Sequence, residues 1–249
     1  METLSRQTFY ESVREYLREL AESGIDGLPE SDETKEKNIN TDLFNAQMRT
    51  SDSPPETLES LRQKIGDCKL CTLSSSRKNL VFGAGNEKAR LVFVGEAPGA
   101  DEDRQGIPFV GEAGGILTRI IRAIGFTRDE IYICNVLKCR PPANRNPHKE
   151  EIASCSPFLI QQLEIIKPEV IVTLGTFATQ TLLNTKEPIS RLRGKFHLYH
   201  GIPLMPTFHP SFLLRNKGNK QYYWDVWSDM VQVLQKLNLP VPEKNQGQG

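Results

Sequence analysis

Four short runs of apolar and β-branched residues alternate with helical patterns along the middle of the chain. The runs lie at residues 91–94, 131–136, 170–174 and 203–207. Helical patterns separate them at residues 114–124, 149–166 and 177–183, and another follows at residues 221–237. Alternation of strand and helix predicts parallel strands joined by right-handed crossovers. The sequence therefore predicts a three-layer α/β fold, with a four-stranded parallel central sheet flanked by helices.

Shifts in composition predict the boundaries of this domain. Apolar residues recur at helical spacing in residues 7–20, and a polar stretch with few apolar residues follows. Another helical pattern begins near Glu56 and ends at Gly66, and the chain finishes in the polar sequence PVPEKNQGQG. We predict an N-terminal helix and flexible linker at residues 1–55, the α/β domain at residues 56–239, and a disordered tail at residues 240–249.

The composition is that of a globular protein, with 38% hydrophobic and 25% charged residues in a chain of 249. Thirty-one basic residues balance thirty-one acidic ones, so a nucleic-acid surface would have to come from local clustering of charge. The apolar runs are too short to span a bilayer, and the N-terminus lacks the apolar segment of a signal peptide. We therefore expect a cytoplasmic protein that does not act at membranes.

Polar segments follow three of the predicted strands, where the ligand crevice of such a sheet lies. The first, at residues 95–115, reads GEAPGADEDRQGIPFVGEAGG. Its four carboxylates within eight residues would repel a phosphate, and it lacks the Lys-Ser/Thr ending of a P-loop. The other segments read NVLKCRPP from Asn135 and FHPSFLLR from Phe208. We expect all three to converge on one crevice, although the first segment could instead be a solvated acidic turn.

The cysteines indicate a metal site. Cys68 and Cys71 form a C-x2-C pair, and Cys139 and Cys155 follow much later in the chain. In a cytosolic protein this arrangement is more typical of metal binding than of disulfides. Four thiolates suit zinc or an iron–sulfur cluster, and their spacing does not distinguish the two. Alternatively, two or three of them are buried core thiols, which is our interpretation of Cys134 within an apolar strand.

Taken together, the loops and cysteines resemble the iron–sulfur uracil-DNA glycosylases, the fourth family of the uracil-DNA glycosylase superfamily. The resemblance covers roughly residues 56–237. It rests on GEAPGADED with IPFVGEAG, NVLKCRPPANRNP, the four cysteines in order, VTLG, and FHPSFLLRN. It implies a uracil-DNA glycosylase-like fold and a [4Fe–4S] cluster on Cys68, Cys71, Cys139 and Cys155. It also implies a monofunctional enzyme that hydrolyses the N-glycosidic bond, releases uracil from DNA and leaves an abasic site.

The same resemblance implies how the base is recognised. A glycosylase extrudes its target nucleotide, holds the base by its polar edge and a stacking partner, and stabilises the charge that develops as the bond breaks. Phe109 would stack on uracil, Asn135 would bind its N3 and O4 edge, and His209 would donate to O2 as the anion forms. The alternatives are a core phenylalanine, a turn asparagine and a loop histidine with ordinary partners.

Further pocket residues follow from the resemblance. Gly95 and Ala97 would line the uracil site, and Glu102 would crowd the 5-methyl group of thymine. Glu96 would lie near the sugar or the attacking water. No aspartate occupies the place of a general base in GEAPG, which leaves Glu96 or Asn144 to orient the water.

Contacts with DNA are predicted in the segment HPSFLLR. Ser211 and nearby backbone N–H groups would bind phosphates, and Leu213 would fill the space that the flipped base leaves. The phosphate-facing charge would come from basic residues in two segments, namely Arg140, Lys138, Arg145, Arg215, Lys217 and Lys220. For Lys217 and Lys220 a solvated surface is the alternative. We expect a monomer that acts on single- or double-stranded uracil-containing DNA in the nucleoid.

Two other functions are compatible with parts of this pattern. One is a non-catalytic module in which a zinc site organises a nucleic-acid surface. The other is a superfamily member that traps uracil-DNA covalently through the histidine of an R-R-I-H insertion. The corresponding segment here reads RPPANRNPHKEE and lacks that motif, with His148 as the histidine nearby. We therefore expect turnover.

Overall fold

The computed structural model describes residues 57–242. The predicted helix at residues 7–20 and the linker after it lie outside the described residues, as does the tail beyond residue 242. The predicted domain boundaries therefore stay predictions, and the account below concerns residues 57–242.

The described strands form a six-stranded sheet in the order β1-β3-β2-β4-β6-β5. The strands are β1 (Ala84–Gly85), β2 (Leu91–Gly95), β3 (Tyr132–Asn135), β4 (Val170–Leu174), β5 (His197–Tyr199) and β6 (Ile202–Thr207). The central strands β3, β2, β4 and β6 pair in parallel, which confirms the predicted four-stranded core of the sheet.

The two edge strands were not predicted, so the strand count of four is corrected to six for the described residues. Strand β1 has only two residues and pairs antiparallel with β3. Strand β5 pairs antiparallel with β6 through a tight turn, in which His200 and Gly201 have φ of 48° and 84°. Positive φ at both central residues is the geometry of a type I′ hairpin. Neither edge strand carries a long apolar run, which explains why the sequence pattern did not reveal it.

The helices are α1 (Leu58–Ile65), α2 (Ala100–Gln105), α3 (Glu112–Ala123), α4 (Lys149–Ile166), α5 (Thr176–Leu183), α6 (Ile189–Leu192), α7 (Pro210–Arg215) and α8 (Lys220–Lys236). Short 3-10 turns lie at Thr72–Ser75 and Pro142–Asn144. The bounds of α4 agree with the prediction, and those of α3, α5 and α8 differ from it by one or two residues. Short helices α2, α6 and α7 were not predicted. Among residues 57–242, no helix is both long enough and apolar enough to cross a membrane.

Apolar layers cover both faces of the sheet. Alternate residues of a strand point to opposite faces, so Val92 and Val94 pack on one side with α1 and α4. Leu91 and Phe93 pack on the other side with α3 and α8. This arrangement confirms the three-layer architecture. It also leaves the carboxyl ends of the parallel strands open to ligands, with Gly95 beside Asn135 in register.

Candidate active site

A cleft of about 520 Å³ opens at the carboxyl ends of the parallel strands. The segments that follow β2, β3, β4 and β6 form its walls, as the sequence predicted for three of them. Ten of the predicted site residues line it, namely Glu96, Ala97, Glu102, Phe109, Asn135, Asn144, Arg145, His209, Ser211 and Arg215. The three polar loops therefore converge on one crevice.

Gly95 is not among the residues that line the cleft, but it lies against two that do, at a position where only a glycine fits. A Cβ atom at this position would collide with Asn135 Oδ1 and would lie 2.6 Å from Phe109 Cζ. The missing side chain lets Asn135 and Phe109 approach the end of β2 from two sides. Gly95 thus brings an amide and an aromatic ring together at the bottom of the cleft.

Asn135 presents an unpaired polar atom to this cleft. It is the last residue of β3 and is only 1% exposed. Its Oδ1 is buried and has no hydrogen-bond partner among the described residues. An unsatisfied buried acceptor costs about 1–3 kcal/mol, so native structures rarely keep one without a function. A ligand that brings an N–H group to the floor of the cleft would satisfy it.

Phe109 is held in a strained conformation beside Asn135. Its φ is 54°, in the left-handed region that large side chains rarely adopt. Arg128 donates to the carbonyls of Phe109 and Pro108, at 3.1 and 2.7 Å. Gly114 of α3 packs so closely on the Phe109 backbone that a Cβ there would lie 2.9 Å from Phe109 Cα. Since strained residues cluster at ligand clamps, this placement favours a ring that contacts ligand.

Glu102 holds the loop that carries Phe109. One carboxylate oxygen accepts from the N–H groups of Val110 and Gly111, both at 2.9 Å, and the other accepts from Gly99 N–H at 3.1 Å. Asp103 is buried and accepts from the backbone N–H of Lys78 at 2.8 Å. These two carboxylates bind the backbone, so the segment is not a solvated acidic turn at these positions.

His209 enters the cleft as the N-cap of α7. Its Nδ1 accepts from the backbone N–H of Ser211 at 3.1 Å and lies 2.8 Å from the Ser211 hydroxyl. Burial, together with the positive charge of Arg215, lowers the pKa of His209 to about 4. The ring is therefore neutral at pH 7. Because Nδ1 accepts the backbone N–H, the ring proton lies on Nε2, which is then a hydrogen-bond donor.

Glu96 and Asn144 differ in how free their side chains are. Burial raises the pKa of Glu96 to about 7, and the charge of Arg215 opposes this shift. No hydrogen bond to the Glu96 carboxylate occurs within residues 57–242. Asn144 lies on the exposed rim of the cleft, and its Oδ1 accepts from Arg140 Nε at 2.8 Å. Glu96 is thus the available carboxylate, whereas Asn144 is already paired.

Comparison with known proteins agrees with this geometry. The family model of the uracil DNA glycosylase superfamily matches residues 82–231. The Type-4 uracil-DNA glycosylase of Thermotoga maritima is 47% identical over 167 residues, which cover 66% of this chain and 87% of that protein. The chain belongs to the type-4 uracil-DNA glycosylases.

Another type-4 glycosylase and a type-5 glycosylase are also similar to this chain. The Type-4 uracil-DNA glycosylase of Archaeoglobus fulgidus is 44% identical over 176 residues, which cover 68% of this chain and 88% of that protein. The Type-5 uracil-DNA glycosylase of Pyrobaculum aerophilum is 30% identical over 151 residues, or 54% of this chain and 66% of that protein. The chain is therefore more similar to these type-4 glycosylases than to that type-5 protein.

Two predicted DNA contacts of this type-4 glycosylase are wrong. Leu213 is 0% exposed and packs in the apolar layer with α3 and α8, because α7 turns this position inward. It is not positioned to enter a DNA duplex. Lys138 is likewise 0% exposed, so its charge does not face phosphates. Arg140 is half-buried beside Asn144 and is not among the residues that line the cleft.

Other residues of the cleft had no predicted role. They are Pro98, Gly99, Ala113, Pro141, Asn146, Gly175, Thr176, Phe177, Ile189, Phe208 and Phe212. The motif VTLG could have indicated one of them, Gly175, because a glycine directly after a buried strand often marks a place where another part of the protein approaches the backbone closely. Gly175 has φ of 84°, and a Cβ there would lie 2.9 Å from His209 Cβ. Gly175 thus makes room for His209.

The four predicted cysteine ligands of this glycosylase line one small cavity away from the cleft. Arg77 Nη1 donates to Cys139 Sγ at 3.3 Å, and the Lys138 backbone N–H donates to Cys155 Sγ at 3.2 Å. Cys134 is buried in β3 and does not line this cavity, as expected for a core thiol. Within residues 57–242, no group of three or more His, Cys, Asp or Glu side chains is arranged to hold a metal ion.

Proposed function

We propose that the protein hydrolyses the N-glycosidic bond of deoxyuridine in DNA, releasing uracil and leaving an abasic site. The observation that carries this proposal is the buried, unpaired Oδ1 of Asn135 on the floor of the cleft. Uracil offers an N3–H donor beside the O4 acceptor, which complements the oxygen and nitrogen of one amide group. The family of the chain supports the same activity.

The cleft would hold an extruded uracil by its face and by its edge. Phe109 would stack on the ring, and the Asn135 amide would pair with N3 and O4. Gly95 and Ala97 would form the surface under the base. Glu102 would act against thymine by keeping the backbone at residues 109–111 in place near the 5-position, since its own carboxylate is bonded to that backbone.

His209 would stabilise the departing base. Cleavage leaves negative charge on uracil, and a donor aimed at O2 becomes stronger as this charge grows. The neutral ring with its proton on Nε2 is such a donor. A neutral imidazole also keeps its proton during the reaction. His209 would therefore stabilise the uracil anion by donating a hydrogen bond to it and not by transferring a proton to it.

Glu96 would orient the attacking water and stabilise the positive charge that develops on the sugar. Its carboxylate makes no hydrogen bond within the described residues, whereas the Asn144 oxygen accepts from Arg140. We therefore assign this role to Glu96 and place Asn144 at the rim. A pKa of about 7 means that Glu96 is partly ionised at neutral pH.

The substrate would be uracil-containing DNA, with single or double strands. Arg215 is exposed at the mouth of the cleft, and its Nη1 donates to the Ser211 hydroxyl at 3.3 Å. Both residues could therefore bind one phosphate. The protein would act as a monomer. An enzyme of this kind would act on DNA in the cytoplasm and nucleoid.

We further propose that Cys68, Cys71, Cys139 and Cys155 bind a [4Fe–4S] cluster with a structural role. These four cysteines would hold such a group, because they line one cavity and the sulfur atoms of Cys139 and Cys155 accept N–H bonds, as cluster-bound thiolates do. When bound, the cluster would link the segment after α1, helix α4 and the loop after β3.

Iron content and folding test this cofactor. Each single variant with one of the four cysteines replaced by alanine should lose iron and visible absorbance. It should also melt at a lower temperature, because the free energy of cluster binding is partly free energy of folding. Cys134→Ala is the matched control, and it should keep both. Purified protein with about one zinc and no iron per chain would refute the assignment.

An excision assay tests the activity. An oligonucleotide with one uracil is incubated with the protein, and alkali then cleaves any abasic site. We expect the incubation to release free uracil. A strand break should appear at that position only after the alkali treatment. A matched oligonucleotide with thymine should stay intact. An intact uracil strand after alkali would contradict the proposal, and a break without alkali would show lyase activity.

A further inference from the structure

Lys138 is a fully buried lysine that the proposed chemistry does not use. It is 0% exposed and lies three residues after Asn135 and directly before Cys139. An ammonium group is costly to remove from water unless its protons find acceptors. A buried lysine at this position therefore indicates a specific function for its hydrogen bonds.

The ammonium group bonds to two neutral oxygens. Its Nζ donates to the backbone carbonyl of Asn135 at 2.8 Å and to Gln162 Oε1 at 2.5 Å. Gln162 is itself fixed, because its Nε2 donates to the Phe82 carbonyl at 2.9 Å. Lys138 makes no ion pair within residues 57–242. Its side chain therefore connects Asn135 to the interior of the protein by hydrogen bonds and does not pair with a carboxylate.

The backbone of Lys138 is fixed as well. Its N–H donates to Cys155 Sγ at 3.2 Å, and its carbonyl accepts from Val81 N–H at 2.8 Å. Lys138 also lines the cavity of the four cysteines. One residue therefore contacts the cysteine cavity through its main chain and the base-binding asparagine through its side chain.

We infer that Lys138 is a positioning residue for uracil recognition, because its ammonium group fixes the main chain of Asn135 and so aims the Asn135 amide into the cleft. This inference rests on the proposed function. Asn135 lies at the end of β3, where the strand gives way to a loop. A cross-link from the interior restricts the carbonyl of this residue and, with it, the direction of its side chain.

Binding measurements separate this role from general stability. The base-specific affinity is the Kd for an oligonucleotide with a tetrahydrofuran abasic analogue, divided by the Kd for the same oligonucleotide with non-cleavable 2′-fluorinated deoxyuridine. In Lys138→Met this ratio should fall about tenfold, the loss expected for a misplaced hydrogen-bonding group. The Kd for the tetrahydrofuran oligonucleotide should stay unchanged, because contacts with the DNA backbone do not involve Lys138.

Thr173→Val is the matched control, because it also removes a buried polar group. Thr173 bonds to Thr179 at 2.8 Å and does not line the cleft. This variant should lower the melting temperature and keep the base-specific ratio. Equal ratios in Lys138→Met and the native protein would refute the positioning role and leave the proposed function intact. An intact uracil strand after alkali in the excision assay with the native protein would refute the proposed function itself.

Gln162→Met provides a second measurement if Lys138→Met does not fold. It removes the acceptor that orients the ammonium group and leaves the contact between Lys138 N–H and Cys155 in place. A lower base-specific ratio in Gln162→Met supports the positioning role of Lys138. A native ratio in this variant refutes it.

Discussion

Replacing Asn135 by leucine should make the protein more stable and nearly inactive. Leucine has the same number and branching of side-chain heavy atoms, and it removes the buried Oδ1 that lacks a partner. An unsatisfied buried acceptor costs about 1–3 kcal/mol, of which we expect about 1 kcal/mol to be recovered after changes in packing. For a domain of this size, that gain corresponds to a rise of about 2–4 °C in the melting temperature.

The same change should abolish most of the uracil excision. Two hydrogen bonds to the base are lost, each contributing about 1.5 kcal/mol, so the single-turnover rate should fall on the order of 10²-fold. Thermal melts and single-turnover excision measure both effects in one preparation. Thr173→Val is the control, since its hydroxyl is paired and its loss should destabilise the protein without slowing excision. A leucine variant that is less stable and excises at the native rate would refute the assignment of Asn135.

Three further predictions concern the chemistry of the cleft. His209→Ala should lower the single-turnover rate by about 10²–10³-fold with little change in affinity for a non-cleavable uracil analogue, because the hydrogen bond from His209 to the base strengthens in the transition state. A large loss of affinity with an unchanged rate would make His209 a DNA-positioning residue. The excision rate should rise with pH through about 7, because Glu96 becomes charged above its raised pKa. Glu96→Gln should be slow and lack this inflection, and an unchanged pH profile in that variant would exclude Glu96 as the residue that orients the water. Glu102→Ala should slow uracil excision by about tenfold and allow traces of thymine release from mismatches with guanine, because the backbone at residues 109–111 loses its acceptor. Normal uracil excision without thymine release would contradict this prediction.

Much of the fold could be predicted because the central strands are continuous apolar runs. The run at Val170–Leu174 is buried along its whole length, and its pattern alone identified it. Helix α4 was predicted with its observed bounds because its start and its apolar face both follow simple rules. The edge strands could not be predicted, since a two-residue strand such as β1 is defined by its partner and not by its own sequence.

The errors in the site have a common physical cause. Sequence patterns show which residue types are present, but burial is decided by the packing of distant segments. Lys138 reads as a loop cation, yet Gln162 of α4 supplies a buried acceptor for it. Leu213 reads as an exposed wedge, yet the short helix α7 turns it toward α3 and α8. The pattern also did not show that folding brings three backbone N–H groups to Glu102, whose predicted place near the 5-position of the base stays a prediction.

The central claim is that an extruded uracil lies on the floor of the cleft and pairs with Asn135. A crystal structure of the protein with DNA that carries non-cleavable 2′-fluorinated deoxyuridine measures this directly. We predict that N3 and O4 of the base lie within hydrogen-bond distance of the Asn135 amide, with Phe109 against the ring and O2 facing His209 Nε2. A base that remains stacked in the DNA, or that turns another edge toward Asn135, would contradict the account.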